Sequence, residues 1–456
     1  MIRELQPTIP KWKFSQDYYT RSLKALDTAL ARVAVYNSWK SSDPGASYPI
    51  DARFAAMPAL TKKDIREHFP QGILPRERDI SRGLTSGEIE LVDSSGAVDD
   101  KITNIWNQKW WDASERASWK LNSHIDKIAT GDHREAILAN PRNVGFISDD
   151  VDLPMEKRRL SRFLYLNEKT DPLSWSSIHM DRMIEELNTF QPVVFEANPS
   201  YLARLCRYIA AHSKKVFQPG IIVFTYEYPT NHHYRQVRQV FPIPIASSYG
   251  STETGYVFMQ CEEGKYHQNS EFCRVDFQPL KPKHGGPLVG RILVTPFQNP
   301  WSYIVRFDVG DLVCLEESGK CPCGRSSGLI LSSINGRKAN LTLTCTGRLV
   351  TLFELDNAIS ALEDVDEYKL IQINAGTYEL HLVSKRLDKK RLGEEAGEIL
   401  KKLYGENANV SIVYESAIAP ESSGKYLISR TVFPIELEDY LDVRYFGKKS
   451  DRSQHA

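Results

Sequence analysis

Apolar residues recur along this chain at two spacings. Between Lys101 and Asn122, "KITNIWNQKWWDASERASWKLN" places them three and four apart, which predicts an amphipathic helix with its tryptophans in a core. "PSYLARLCRYIAAH" from Pro199 predicts a second helix, and "PGIIVFTYEY" from Pro219 predicts a strand. "RQVRQVFPIPIASSYG" continues the alternation, and its "VFPIPIA" is apolar enough to be a buried strand. "NHHYRQVRQ", with His232 and His233, reads as the start of an exposed helix. Helices alternating with apolar strands imply an α/β fold, a mostly parallel sheet covered by helices. Ligands in such sheets bind at the carboxyl ends of strands. "TYEYPT" and "SSYGSTETG" both follow strands and are expected to face one crevice.

After Gly285-Gly286 the pattern shortens. "GRILVTPF", "SYIVRFDVGDLVCL" and "GLILSSINGR" predict short strands of a barrel-like subdomain or small antiparallel sheet. From Lys338 onward, "RLVTLFELDNAISAL", "EYKLIQINAGTYELHLV", "KRLGEEAGEILKKLYG" and "ANVSIVYESAI" read helix–strand–helix–strand, a small α+β domain. The expected layout is a large N-terminal domain over residues 1–336 and a break at 337–340. A C-terminal domain over 341–447 and a polar tail over 448–456 complete it.

Composition narrows the functions on offer. The 456 residues carry 58 Lys+Arg and 58 Asp+Glu, so no global field draws the chain to nucleic acid or membrane. A bound polyanion would need a local constellation. The longest apolar runs fall short of the roughly 18 residues that span a bilayer. The seven cysteines are an odd number in a long chain, which argues for reduced thiols. "MIRELQPTIPKWKF" has acids and prolines where a signal peptide needs an apolar core, so a cytoplasmic protein is expected.

Polar clusters punctuate this frame. They are Tyr249-Gly250-Ser251-Thr252-Glu253, the "VRFDVGDL" that holds Asp311, "NGRKANL" with Arg337, "SSGKYLISR" with Lys425, and "DSSGAVDDK" around Ser94–Lys101. At these points the chain resembles the adenylate-forming superfamily, in particular its phenylacetate–CoA ligase branch. "YGSTETG" matches that family's Tyr-Gly-x-x-Glu turn, and "VRFDVGDL" followed by "CPCGR" matches its Arg-Tyr/Phe-x-x-Gly/Arg-Asp-Leu segment. "INGRK" matches the Gly-Arg hinge element, and "SSGKYLISR" resembles the carboxy-terminal Ser-x-Gly-Lys. Five matches in order, from about Ser94 to Arg430, carry the resemblance.

The resemblance implies a reaction. ATP and a carboxylic acid give an acyl-adenylate and pyrophosphate, and the acyl group passes to CoA as a thioester. It also implies a small C-terminal domain that rotates between the two half-reactions. Lys425 would bridge the acid's carboxylate and the α-phosphate, as a compact ammonium can. Glu253 would hold Mg²⁺, which favours carboxylate and phosphate oxygens. Thr252 would offer its hydroxyl to the α-phosphate, Asp311 would accept from the ribose hydroxyls, and Arg337 would reach ribose or phosphate. Glu227, Tyr228 and Pro229 occupy the adenine-contact segment. Tyr249, Gly250, Ser251 and Arg325 complete the nucleotide set, with Ser94, Ser95 and Gly96 at the phosphate loop.

That loop departs from the family's Ser-Ser-Gly-Thr-Thr-Gly-x-Pro. Both threonines, the second glycine and the proline are missing, and Asp99 and Asp100 stand where a phosphate cradle avoids negative charge. The hinge has Ala339 near the position where the family usually has an acid. Cys261, His267, Cys321 and Cys323 could form a tetrahedral Cys₃His zinc site, the alternative being buried reduced thiols. Cys206, Cys273, Cys314 and Cys345 read as core. His179 could line the acid pocket. The acid is expected to be aromatic. An amine acceptor, a binding protein without turnover, and a homodimer stay open beside the CoA ligase.

Overall fold

The computed structural model describes residues 9–93, 102–144, 146–421 and 423–445. The chain forms two compact units. One comprises Met1–Leu121, Gly250–Asn335 and Glu436–Ala456; the other comprises Asn122–Tyr249 and Gly336–Ile435.

In the second unit, strands Glu135–Leu138, Val194–Ala197, Ile221–Phe224 and Ile245–Ser251 run parallel, with Phe163–Tyr165 beside the first. The segments EAIL, VFEA and IIVF are buried at every position, as strands covered on both faces must be. Helices Ser177–Phe190, Pro199–Ala211 and Asn231–Val240 connect them, and Leu187, Leu202 and Val237 join Phe195 and Phe224 in one core. The same unit holds a four-stranded sheet ordered Asn409–Tyr414, Thr377–Ser384, Val365–Asn374, Ser429–Thr431. Helices Leu352–Ile359 and Lys389–Tyr404 pack on it through Leu355, Ile359, Leu392 and Leu400.

The large-sheet strands of the first unit pair antiparallel. Cys273–Pro279 pairs with Val289–Pro296, which pairs with Phe307–Leu315; Gly255–Gln260 pairs with Tyr266–Gln268, which pairs with Ile330–Arg337. Helix Gln108–Trp119 lies on strand Gly255–Gln260, and Leu26, Tyr36, Phe54 and Trp301 fill the core beneath the first helices.

Five expectations need correction. The helix expected from Lys101 starts at Gln108, because Thr103–Trp106 pairs as a strand with Glu90–Asp93 and Asn107 then caps the helix, accepting from Trp110 N–H at 2.9 Å. "VFPIPIA" is not a strand throughout. Val240 closes a helix, and Pro242 and Pro244 have no N–H for a ladder, so the strand begins at Ile245. "EYKLIQINAGTYELHLV" is a hairpin rather than one strand, turning at Asn374–Gly376. His232 and His233 are buried, because residues 362–368, distant in sequence, cover them; Cys314 and Cys345 are half-buried rather than core.

Candidate active site

"SSYGSTETG" folds as a strand, a turn and a second strand, with Thr252-Glu253-Thr254 at the tip. The Thr254 N–H donates to the Ser251 carbonyl at 3.1 Å, and the Ser251 and Thr254 hydroxyls meet at 2.9 Å. Gly255 has φ +69°, and a Cβ there would lie 2.8 Å from both Ser114 Oγ and the Trp110 ring. The hairpin is thereby seated on helix Gln108–Trp119, where Ser114 Oγ accepts the Tyr256 N–H at 3.1 Å. Gly255→Ala is expected to lower stability by about 2–4 kcal/mol in denaturant titration, from strain and overlap together.

This seating leaves Glu253 6% exposed, with no hydrogen-bonding partner for its carboxylate among the described residues. Burying a charge without a partner is costly, so the carboxylate suits a cation. Thr252 and Tyr249 are half-buried and Gly250 is exposed. Asp311, half-buried, lies in strand Phe307–Leu315 of the unit that also holds Glu253.

The same unit gathers the sulfur ligands. Cys261 Sγ and Cys321 Sγ are 3.7 Å apart, Cys323 Sγ and His267 Nε2 are 3.3 Å apart, and all four ligand atoms lie within 4.8 Å of one another. Thiolates bound tetrahedrally to one zinc at 2.3 Å would be about 3.8 Å apart, so the set fits that ion. Burial pulls the His267 imidazolium down to about 4 and pushes the Cys261 thiol up to about 12. For Cys323 burial acts upward too, but the Arg325 N–H and the neighbouring thiols outweigh it and hold the thiol below its usual value. Arg325 makes a double contact with Glu262, both at 3.0 Å, beside this cluster.

The second unit holds Glu227, Arg337 and Lys425. After strand Ile221–Phe224, Tyr226 takes φ +75° while the Glu227 N–H donates to the Thr225 carbonyl at 3.0 Å, the rarer and strained form of γ-turn. The turn aims the Glu227 carboxylate at two backbone donors. Oε1 accepts from Ser200 N–H at 3.1 Å and Oε2 from Tyr426 N–H at 3.2 Å. Ser200 lies in the first turn of helix Pro199–Ala211, where Asn198 caps Tyr201 N–H at 3.2 Å, so the carboxylate completes the capping. Burial pushes its carboxyl upward, against the hydrogen bonds that favour the ion.

Tyr228 packs on the core of the four-stranded sheet and hydrogen-bonds Asp356; Pro229 is half-buried. Arg337 ends strand Ile330–Arg337 and is exposed. Lys425 is half-buried in a turn closed by the Gly424 N–H to Glu421 carbonyl bond at 2.8 Å and the Glu421 N–H to Lys425 carbonyl bond at 2.9 Å.

Ser94, Ser95 and Gly96 lie outside the described residues, between two strands that pair through Asp93 and Thr103. His179 is fully buried, near Glu168, Asp152 and Arg182. Sequence reasoning missed Asn140 and Tyr201, which touch the Lys425 turn from 285 and 224 positions upstream. No motif marks them; Asn-Pro at 140–141 and at 198–199 is the local signal, and it announces the start of a helical turn rather than a site.

No protein-family model matches the sequence, and no curated protein does. Solved structures do match in shape. The chain is similar to 2-hydroxyisobutyryl-CoA ligase in the postadenylation state in complex with 2-HIB-AMP, with a TM-score of 0.66 and 14% identity, over 90% of this chain and 89% of that one. An open conformation of that ligase with 2-HIB-AMP and CoA gives 0.55, with 14% identity over 91% of this chain and 90% of that one. The anthranilate CoA ligase AuaEII in complex with anthranoyl-AMP gives 0.50, with 11% identity over 74% of this chain and 65% of that one. The chain therefore has the fold of the adenylate-forming ligases.

Proposed function

We propose that this protein activates a carboxylic acid with ATP, forming an acyl-adenylate and pyrophosphate, and transfers the acyl group to CoA. The observation that carries the reading is that the motif residues occur in the family's order on a chain with the fold of such ligases. The acid is an aromatic one on this reading, as the phenylacetate–CoA ligase resemblance implies.

The chemistry follows from charge. An acid carboxylate and the α-phosphate are both anionic, and their approach needs positive charge between them. Lys425 supplies it, and a preorganised donor of that kind is worth about 10²–10³ in rate. Glu253 is the residue that would hold Mg²⁺, and its buried carboxylate, without a partner among the described residues, fits that ion. The ion would neutralise phosphate charge when bound. Asp311 accepts from the ribose hydroxyls and Arg337 adds charge at ribose or phosphate. The domain from 341 onward rotates between half-reactions, about residues 337–340. Zinc at Cys261, His267, Cys321 and Cys323 has no part in the chemistry; it would tie the connection after strand Gly255–Gln260 to the one after strand Phe307–Leu315, which carries Asp311.

The altered segment Ser94–Lys101 favours a specialised second reading, an amide-forming enzyme or a binding protein without turnover. Exchange of labelled pyrophosphate into ATP, over a panel of aromatic and aliphatic acids, tests the adenylation. We expect exchange with at least one aromatic acid, and with CoA a thioester as product. An amide product with CoA absent from it would replace the acceptor, and exchange with no acid at all would leave the binding protein.

A further inference from the structure

The turn that carries Lys425 is held on both sides of that residue. On one side the Tyr201 hydroxyl donates to the Gly424 carbonyl at 3.2 Å, and Asn140 Nδ2 donates to the same hydroxyl at 2.9 Å. On the other side the Tyr426 N–H donates to Glu227 at 3.2 Å. The carbonyl before Lys425 and the amide after it are therefore both fixed, and with them the direction of its Cα–Cβ bond. Gly424 permits the approach. It has φ +76°, and a Cβ there would come within 1.7 Å of Asn140 Nδ2.

The holding groups are themselves rigid. Tyr201 is fully buried, and its ring meets Trp175 edge to face at 5.5 Å between centroids. Asn140 Nδ2 also donates to the Thr170 carbonyl at 3.1 Å, and Asn140 Oδ1 accepts the Arg142 N–H at 3.0 Å. Glu227 reaches its place through the strained turn at Tyr226, and residues held in sparsely populated backbone regions cluster at functional sites.

We infer that Tyr201 and Glu227 are positioning residues for adenylation, clasping the backbone on either side of Lys425 so that its ammonium is presented in one direction. This rests on the adenylation reading of Lys425. The clasp acts through the lysine, not on ATP, so its loss in Tyr201→Phe lowers kcat and leaves the KM for ATP unchanged. It also leaves untouched the second half-reaction, from supplied acyl-adenylate to thioester, in which Lys425 has no role on this reading.

The test uses Tyr201→Phe and Glu227→Gln in the full chain, each alone and combined with Lys425→Ala. Each is expected to lower the pyrophosphate-exchange kcat by about 10-fold or more, because small displacements of a reacting group cost up to about 10²-fold. In the Lys425→Ala background neither should change the residual rate further, the non-additivity of residues acting as one unit. Hydrogen exchange of the Tyr426 amide, read with no substrate present, should rise in both variants while the melting point of Tyr201→Phe stays within a few degrees of the parent. Loss of exchange in Lys425→Ala with full kcat in Tyr201→Phe and Glu227→Gln overturns the clasp and spares the adenylation reading. So does a raised KM for ATP at unchanged kcat, which would make Glu227 a nucleotide contact. Full exchange in Lys425→Ala removes the adenylation reading itself, and unaltered protection of Tyr426 in both variants removes the clasp even if no acid supports exchange.

Discussion

Lys425→Ala should lower the rate of acyl-adenylate formation about 10²–10³-fold, with little change in the melting point. The size follows from what the side chain is asked to do. Removing one preorganised donor from a site where anionic charge gathers costs about 3–4 kcal/mol of transition-state stabilisation, far more than a surface ion pair supplies. The stability should survive because the turn is closed by backbone bonds between Glu421 and Gly424 and between Glu421 and Lys425, none of which uses the lysine side chain. Lys425→Arg should recover little of the rate, since a planar guanidinium does not replace a compact ammonium between oxygens of different groups. Single-turnover formation of acyl-adenylate, with an acid taken from the exchange screen, measures this directly. A Lys425→Ala rate within a factor of three of the parent would sink the proposed mechanism while leaving the fold assignment intact.

The parallel strands were legible because burial on both faces leaves no choice of residue: IIVF and VFEA can be little else between turn signals. "KITNIW" was misread because its apolar residues also suit a helix, and the competing partner, Glu90–Asp93, lies beyond any local window. "VFPIPIA" misled by composition alone, since its prolines bar a ladder before Ile245. His232 shows the same limit in another form. Its neighbours in sequence are polar, yet Leu362 supplies the carbonyl that its Nε2 meets at 3.1 Å, and burial holds its imidazolium at about 4. Local pattern reports an element's own faces; it does not report which distant segment will cover them.

The candidate site divides in the same way. Glu253 and Lys425 stood out in the sequence because glycines and hydroxyl residues, which favour turns, surround each of them. The surroundings of Lys425 did not. Asn140 and Glu227 come from two strand–helix connections and Tyr201 from the first turn of a helix, and each reads locally as an ordinary cap or core residue. Glu227 was legible as an acid after a strand, whereas its engagement with two backbone N–H groups follows from the turn at Tyr226, whose positive φ no residue type announces. Chemistry-bearing residues were readable one at a time, and the groups that aim them were readable only once the chain had folded.

Purified without chelator, the protein should carry one zinc per chain, and Cys321→Ser should remove it and lower the melting midpoint by roughly 5–10 °C. Cys261 and Cys321 sulfurs at 3.7 Å are too far apart for a disulfide and stand close to the separation imposed by a shared tetrahedral ion. Cys261 and His267 are buried, 3% and 0% exposed, and burial pushes the Cys261 thiol up to about 12. Left alone it would keep its proton at neutral pH, and a cation reverses that preference. Each ligand lies at or between strand ends: Cys261 follows Gly255–Gln260, His267 is in Tyr266–Gln268, and Cys321 and Cys323 sit between Phe307–Leu315 and Ile330–Arg337. One ion would thus pin two connections from within, beside the Arg325–Glu262 and Lys265–Glu316 ion pairs that bridge them at the surface. Loss of a structural metal ranks with the large destabilisations, roughly 3 kcal/mol or more, and each kcal/mol moves the midpoint of a unit this size by about 2–4 °C. Cys314→Ser, a half-buried thiol outside the cluster, is the control and should melt within about 2 °C of the parent. Elemental analysis and thermal melts of the three proteins decide it. Metal-free parent protein that melts together with Cys321→Ser would return these four residues to an ordinary cluster of buried thiols around a neutral histidine.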